Sequence, residues 1–335
     1  MDHNTIIILI VLFGCLFSYT NGFQDGSSVA ASPIASRSIP PAWAALLSGI
    51  FEFLGALLGG QAVAGSIVGI TRYGGTKLDE RFLPILLTAL VAAISWNFFT
   101  RAIKVPSSST HALVGGLIGA LYAASGNFDY IVVGELGYLL HPTGVTKVIV
   151  TLFLSPLIGF LAGFILLKLV YIFGVFFTAS LTRLFKRLQW LALPLLAFGH
   201  GANDSQKVMG LIAFSLLGNI STIPIEIRLL IAIALTTGVL AMAPGIVKRV
   251  GTGIYRLRPT PAFVAQLASA VVVTMGSLTG GPLSASQVIA STVMGVGCAE
   301  RRKGVHWLVA RDMLMAWVLT IPSSAFLAYW LYRLF

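Results

Sequence analysis

The chain has 335 residues, of which 57% are hydrophobic and 10% charged, with a mean hydropathy of +0.91. A soluble domain carries about 25% charged residues, so this composition excludes a soluble globular fold and makes lipid the solvent. The net charge of +11 raises nucleic acid as a partner, but the basic residues sit in short loops between apolar runs, which argues against that class.

Apolar runs near or above the roughly 20 residues that cross a bilayer as helix lie at 4–20, 43–70, 82–100, 146–178, 190–217, 229–247, 262–280 and 305–334. Two shorter runs, 111–124 and 288–298, follow polar Pro-Ser stretches and are candidates for re-entry. The expected fold is an all-α polytopic membrane protein with ten to twelve membrane segments. The first run carries Asp2 and His3 where a secretory signal has a basic region, so it is read as part of the mature fold.

Three basic loops, Arg183/Lys186/Arg187, Lys248/Arg249/Arg256/Arg258 and Arg301/Arg302/Lys303, are expected on the cytoplasmic side. The stretch 126–145, with Asp129 and Glu135, then lies outside, and so do both termini. The loop 71–81 also falls outside although it holds Arg72, Lys77 and Arg81, offset in part by Asp79 and Glu80. Cys15 and Cys298 lie in apolar runs, so no disulfide framework or metal motif is visible.

Two pairs of stretches repeat. "NGFQDGSSVA" (Asn21 to Ala30) aligns with "HGANDSQKVM" (His200 to Met209), and "KVPSSSTHALVGGLIGA" (Lys104 to Ala120) aligns with "GGPLSASQVIASTVMGVG" (Gly280 to Gly297). The offsets are 179 residues (Asp25/Asp204) and 176 residues (Pro106/Pro282, Ser108/Ser284, Gly119/Gly295). The chain therefore divides into a first unit, 1–125; a connection with a long helix, 126–189; a second unit, 190–299; and a C-terminal helix, 300–335. Four segments per unit plus one connecting helix invert the second copy, the arrangement of many secondary transporters. The glycines and cap-forming residues of "GHGAND" predict a helix break at Gly199 to Asp204, matched at Asn21 to Gly26.

Asp25 and Asp204 are acids in membrane segments, where an ionised carboxylate costs several kcal/mol unless it is paired or coordinated. They read as cation ligands, with helix capping as the structural alternative. Ser107, Ser108, Ser109 and Thr110 precede one short apolar run, and Ser284, Ser286 and Gln287 precede the other. Hydroxyls and free N–H groups at two facing helix N-termini can cradle a small tetrahedral oxyanion; ordinary N-capping is the alternative. Lys207 can neutralise Asp204, meet an anion or snorkel. His111 and His200 are candidate proton carriers or hydrogen-bonded structural groups, Glu52 is a candidate gating acid, and Gln266 reads as helix–helix glue.

On these four motifs the chain resembles the inorganic phosphate transporter (PiT) family of secondary carriers, over nearly its whole length and in the expected order, and "MGVGCAERRKGVHWLVARDMLMAWVLTIPSSA" looks like that family's bacterial members. The resemblance implies import of inorganic phosphate with Na+ or H+ in a homodimer of the cell membrane, with no cofactor beyond the coupling ion. It places Gln24, Asp25, Ser28, Asn203 and Asp204 at the cation sites, and Gln206 and Lys207 with the Ser-rich stretches at the phosphate. Gln24 and Ser28 stand where the family has Asn, Ala285-Ser286-Gln287 replace Thr-Thr-His, and Gln266 stands where many members have Glu. Sulfate carriers occur in the same wider family. Hydrogen phosphate, unlike sulfate, needs an acceptor for its proton, and Asp25, Asp204 and Glu52 can supply one. An anion channel is disfavoured by paired carboxylates, and an enzyme by the lack of any nucleophile or His-Glu-x-x-His motif.

Overall fold

The structure is a computed structural model that describes residues 2–72, 82–102, 107–134, 142–174 and 180–334. Lys77, Asp79, Glu80, Arg81, Lys104, Pro106 and Glu135 lie outside the described residues. Among the described residues the fold is carried mainly by the helices α1 (His3–Asn21), α2 (Pro41–Leu58), α3 (Ala62–Val68), α4 (Phe82–Ala102), α5 (Ser109–Ser125), α6 (Gly144–Gly174), α7 (Ser180–Leu217), α8 (Ile225–Ala241), α9 (Pro244–Lys248), α10 (Pro259–Leu278), α11 (Ala285–Arg301) and α12 (Trp307–Leu334). Among the described residues the one strand-like feature is an isolated bridge between Thr71 and Ile131.

Local chemistry sets several boundaries. Asp2 caps α1 by accepting from the Thr5 N–H at 3.2 Å, Ser108 caps α5 by accepting from the His111 N–H at 3.2 Å, and Pro41 and Pro259 open α2 and α10 with a preset φ. Gly126, at φ +74, closes α5 in the left-handed conformation that glycine tolerates best.

Among the described residues six helices, α1 with its continuation to Val29, α2, α4, α6, α10 and α12, are long and apolar enough to cross a membrane, and α8 with the segment 244–253 makes a seventh, bent by 67°. Helices α5, α7 and α11 bring the segments to ten among the described residues, within the ten to twelve expected. Helices α5 and α11 have 17 residues each, and α7 holds the polar motif within its length. On α6 the side chains of Phe153, Leu157, Leu161 and Ile165 recur every four residues and are all about half exposed, a face built for lipid.

The predicted break in "GHGAND" is absent: α7 runs unbroken from Ser180 to Leu217. Gly201 serves packing instead, since a Cβ there would sit 2.1 Å from the Glu52 carbonyl oxygen on α2. The polar residues find partners while staying helical. In the first half the distortion is a π-helical turn at Gly22–Gly26, after which the chain stays helical to Val29.

Contacts recur at the offsets seen in the sequence. A Cβ on Gly22 would meet the Leu235 carbonyl oxygen at 2.1 Å, as one on Gly201 meets that of Glu52; Gly119 and Gly295 stand in the same relation to the carbonyls of Ala325 and Phe160, at 2.0 and 2.1 Å. Helix α2 packs on α7 as α8 packs on α1, and α5 packs on α12 as α11 packs on α6. These backbone approaches are possible only because glycine lacks a side chain.

Each of α4–α5 and α10–α11 is a hairpin, and their tips meet: the Thr110 hydroxyl donates to the Leu283 carbonyl at 3.3 Å, and Gln287 Nε2 lies 3.0 Å from His111 Nδ1. The basic loops gather at one end of the molecule. Gln189 donates to the Pro259 carbonyl at 3.1 Å, His306 Nδ1 lies 2.8 Å from the Gly253 carbonyl, and Arg258 pairs with Glu300. At the other end the Arg72 N–H donates to the Tyr130 carbonyl at 3.1 Å.

Candidate functional site

The two acidic motifs and the two hairpin tips converge in the interior. Asp25, Glu52, His200, Asp204 and Lys207 are all buried, each at 2% exposure or less. Asp25 comes from the π-helical turn after α1, Glu52 from the middle of α2, and His200, Asp204 and Lys207 from one face of α7 at spacings of four and three residues, so helical geometry alone lines them up.

Lys207 does not snorkel. Its Nζ donates to Asp204 Oδ1 at 2.6 Å, to Thr110 Oγ1 at 2.6 Å and to the Leu283 carbonyl at 2.8 Å, which uses all three ammonium protons. Asp204 Oδ2 accepts from Asn21 Nδ2 at 2.9 Å and lies 3.4 Å from His200 Nε2, while His200 Nδ1 lies 2.8 Å from Glu52 Oε2. Ser109 Oγ is 2.6 Å from Asp25 Oδ2 and 3.0 Å from Asn21 Oδ1. Asp204 thus has an ammonium partner and Glu52 an imidazole, whereas Asp25 has hydroxyl donors.

Of the three carboxylates, Asp204 pairs with Lys207 and Glu52 lies against His200, while Asp25 shares its cavity with Arg249. A buried charge is retained only when it is paired, coordinated or neutralised. Ligand atoms of Asp25, His200 and Asp204 lie within 4.8 Å of one another. Because His200 is already engaged by Glu52, the oxygens of the two aspartates are the donors best suited to a hard cation.

Beside Asp25 lies a cavity of 40 Å³, lined by Gln24, Asp25, Ser28, Ser107, Arg249 and Ser286, with Met313 and Trp317 on its apolar side. At about 10–15 Å³ per ordered water it has room for a few waters. Hydroxyls from both hairpin tips therefore open onto the space that Asp25 faces.

Other expected site residues do different work. Gln206 Oε1 accepts from the Val63 N–H at 2.9 Å at the start of α3, and its Nε2 donates to the Ala202 carbonyl at 2.6 Å, so it ties α7 to α3. Asn203 donates to the Gly281 carbonyl at 3.0 Å. Ser108 is a helix cap, and Ser284 lies 3.3 Å from Ser286. His111 and Gln287 pair with each other at the tips, with His111 against Phe153 at 6.0 Å between ring centroids. Gln266 is buried in α10.

Two contributors were not read from the sequence. Asn21 bridges Asp204 and Ser109; the available signal was its alignment with His200 at the 179-residue offset. Arg249 was counted only as a loop charge, and nothing in its local sequence indicates that the π-helical turn at Arg249–Gly253 carries it to the cavity.

The model of the phosphate transporter family matches residues 21–328 of this chain. A Bacillus subtilis (strain 168) protein named "Probable low-affinity inorganic phosphate transporter" is 34% identical over 96% of this chain and 94% of its own length. A Rhizobium meliloti (strain 1021) protein of the same name is 30% identical over the same shares. A solved structure titled "The sodium-dependent phosphate transporter" superposes with a TM-score of 0.84 at 23% identity, covering 98% of this chain and 99% of its own, and has the same fold. With a family match across nearly the whole length and the motifs gathered at one buried site, the chain belongs to the phosphate transporter family of multi-pass membrane proteins.

Proposed function

We propose that this protein is a secondary active importer of inorganic phosphate, driven by symport of a cation, Na+ or H+, through alternating access in the cell membrane. The observation that carries the reading is the buried carboxylate of Asp25, which faces a cavity that Ser28, Ser107, Ser286 and Arg249 also line. A cation at Asp25 offsets the carboxylate and lets an oxyanion approach the hydroxyls and the guanidinium. An anion brought alone meets the Asp25 carboxylate. Coupling follows because the anion then has a higher affinity for the cation-loaded state, and only such a difference shifts the equilibrium between outward- and inward-facing forms.

The small cavity implies that the hairpin tips part to admit phosphate. The sequence offsets and the recurring helix contacts support two units of opposite orientation, a homology of halves in which one hairpin enters from each side. The basic end is then cytoplasmic and both termini lie outside. A homodimer is the oligomeric state that goes with this reading. Phosphate is favoured over sulfate because Asp25 can accept the proton of hydrogen phosphate, whereas sulfate brings none.

The test is uptake of radiolabelled phosphate into proteoliposomes of the purified protein under imposed Na+ or H+ gradients, with unlabelled sulfate as competitor. Accumulation that needs one gradient and resists sulfate is the expected result. Direct sulfate uptake reassigns the substrate, and flux independent of both gradients replaces symport with a channel.

A further inference from the structure

The oxygen shell around Lys207 has a counterpart without a lysine. Nζ of Lys207 is held by one carboxylate (Asp204), one hydroxyl (Thr110) and one main-chain carbonyl (Leu283). An ammonium in such a shell stands where a small hard cation would coordinate, since carboxylate, hydroxyl and carbonyl oxygens are the ligands that sites of this kind use. Applying the two offsets to this shell, subtracting 179 within the acidic motif and exchanging positions 176 apart between the tips, turns Asp204 into Asp25, Lys207 into Ser28, Thr110 into Ser286 and Leu283 into Ser107. Asp25, Ser28, Ser107 and Ser286 all line the one small cavity beside Asp25.

The two shells share a carboxylate and a hydroxyl at related positions, and the cavity lies against Ser28, the counterpart of the lysine. One shell is filled by a charge on the chain, and the other keeps space of 40 Å³ where Ser28 replaces the lysine. The charge distribution points the same way. Asp204 is neutralised by Lys207, whereas among the described residues no lysine reaches Asp25, whose cavity Arg249 lines.

Resting on the symport reading, we propose that Lys207 is a tethered cation that permanently fills one of two related cation sites, and that a single mobile Na+ fills the other, formed by Asp25, Ser28, Ser107 and Ser286. A related chain with no lysine at this position then requires a second mobile cation for the same charge balance. The protein exchanges one coupling ion for a fixed charge, so each phosphate costs one fewer ion and is accumulated less steeply.

The experiment is equilibrium binding of radiolabelled Na+ to the purified protein, run on the parent chain, Lys207→Ser and Ser28→Lys, beside gradient-driven phosphate uptake. The parent is expected to bind one Na+ per chain. Lys207→Ser rebuilds the shell found around Ser28 and is expected to bind two, with the Na+ dependence of uptake rising from first towards second power. Ser28→Lys places an ammonium in the open site and is expected to bind none.

Two Na+ bound by the parent, none bound by the parent, or unchanged binding in Ser28→Lys each overturns the proposal; so does a folded Lys207→Ser that binds no more than the parent. If Lys207→Ser fails to fold, the parent and Ser28→Lys counts decide. Uptake driven by an H+ gradient with no Na+ bound removes this proposal and leaves symport standing, whereas absence of any driven uptake in the parent removes symport itself.

Discussion

Asp204 and Asp25 share a motif position but differ in what holds them. Asp204→Asn leaves the Lys207 ammonium buried without its counter-charge, and breaking a buried pair on one side typically costs about 3–5 kcal/mol. This variant is expected to lose much of its thermal stability in detergent, and Asp204→Asn combined with Lys207→Met should recover most of it, because a pair replaced on both sides leaves no uncompensated charge. Equal melting temperatures for the single variant and the parent would refute the pairing. Ser108 makes the opposite case: it caps α5, so Ser108→Ala is expected to cost roughly 1 kcal/mol of stability with little change in phosphate affinity, read by thermal shift and by concentration-dependent uptake. The acids, the serines and Lys207 were legible as polar residues out of place in an apolar chain. Their roles were not, because Lys207 draws ligands from 97 and 76 residues away, distances at which local sequence carries no information on contact.

At the scale of helices, glycine decides how closely the two halves meet. Gly201 brings α7 against α2 at Glu52, and a methyl group there would lie 2.1 Å from backbone that cannot turn aside. Gly201→Ala is therefore expected to force the helices apart, costing about 1–3 kcal/mol as overpacking does, and to lengthen the His200–Glu52 contact; a fully stable, fully active variant would show that the approach is not required. The same residue explains why the predicted helix break is missing. In sequence, glycine beside Asn and Asp signals a turn, but inside a bundle the gain from close backbone packing outweighs glycine's low helix propensity of about 1 kcal/mol. Near the basic end, Glu300 joins three elements by accepting from Tyr171 at 3.0 Å and Tyr255 at 2.8 Å and pairing with Arg258. Burial, together with the Glu300 carboxylate, pushes the Tyr255 phenol up to about 12.

For the whole molecule the sharpest expectation is its orientation. All three basic clusters lie at one end and the 126–134 turn at the other. In a chain with Cys15 and Cys298 replaced by Ser, a cysteine introduced at Asn127 is expected to react with an impermeant maleimide from outside intact cells, and one introduced at Arg256 only after the membrane is opened. The reverse pattern would invert the molecule and make the basic end external. Arg72 stays an exception to the charge rule, since its backbone is joined to Tyr130 at the end assigned to the outside.

Composition and periodicity determined the class of the protein, because only lipid accommodates so many apolar residues with so few charges, and the two repeated motifs marked the residues of the site. The tertiary structure decided which of those residues meet. It kept α7 whole, turned Gln206 and Asn203 to holding helices, brought Asn21 and Arg249 to the site, and gave Lys207 to Asp204 while leaving Asp25 to face a cavity. The physical reason is that hydrophobic patterning is a local property of the chain, whereas the pairing of buried charges depends on which helices lie side by side, and that is settled only when glycine-lined surfaces pack.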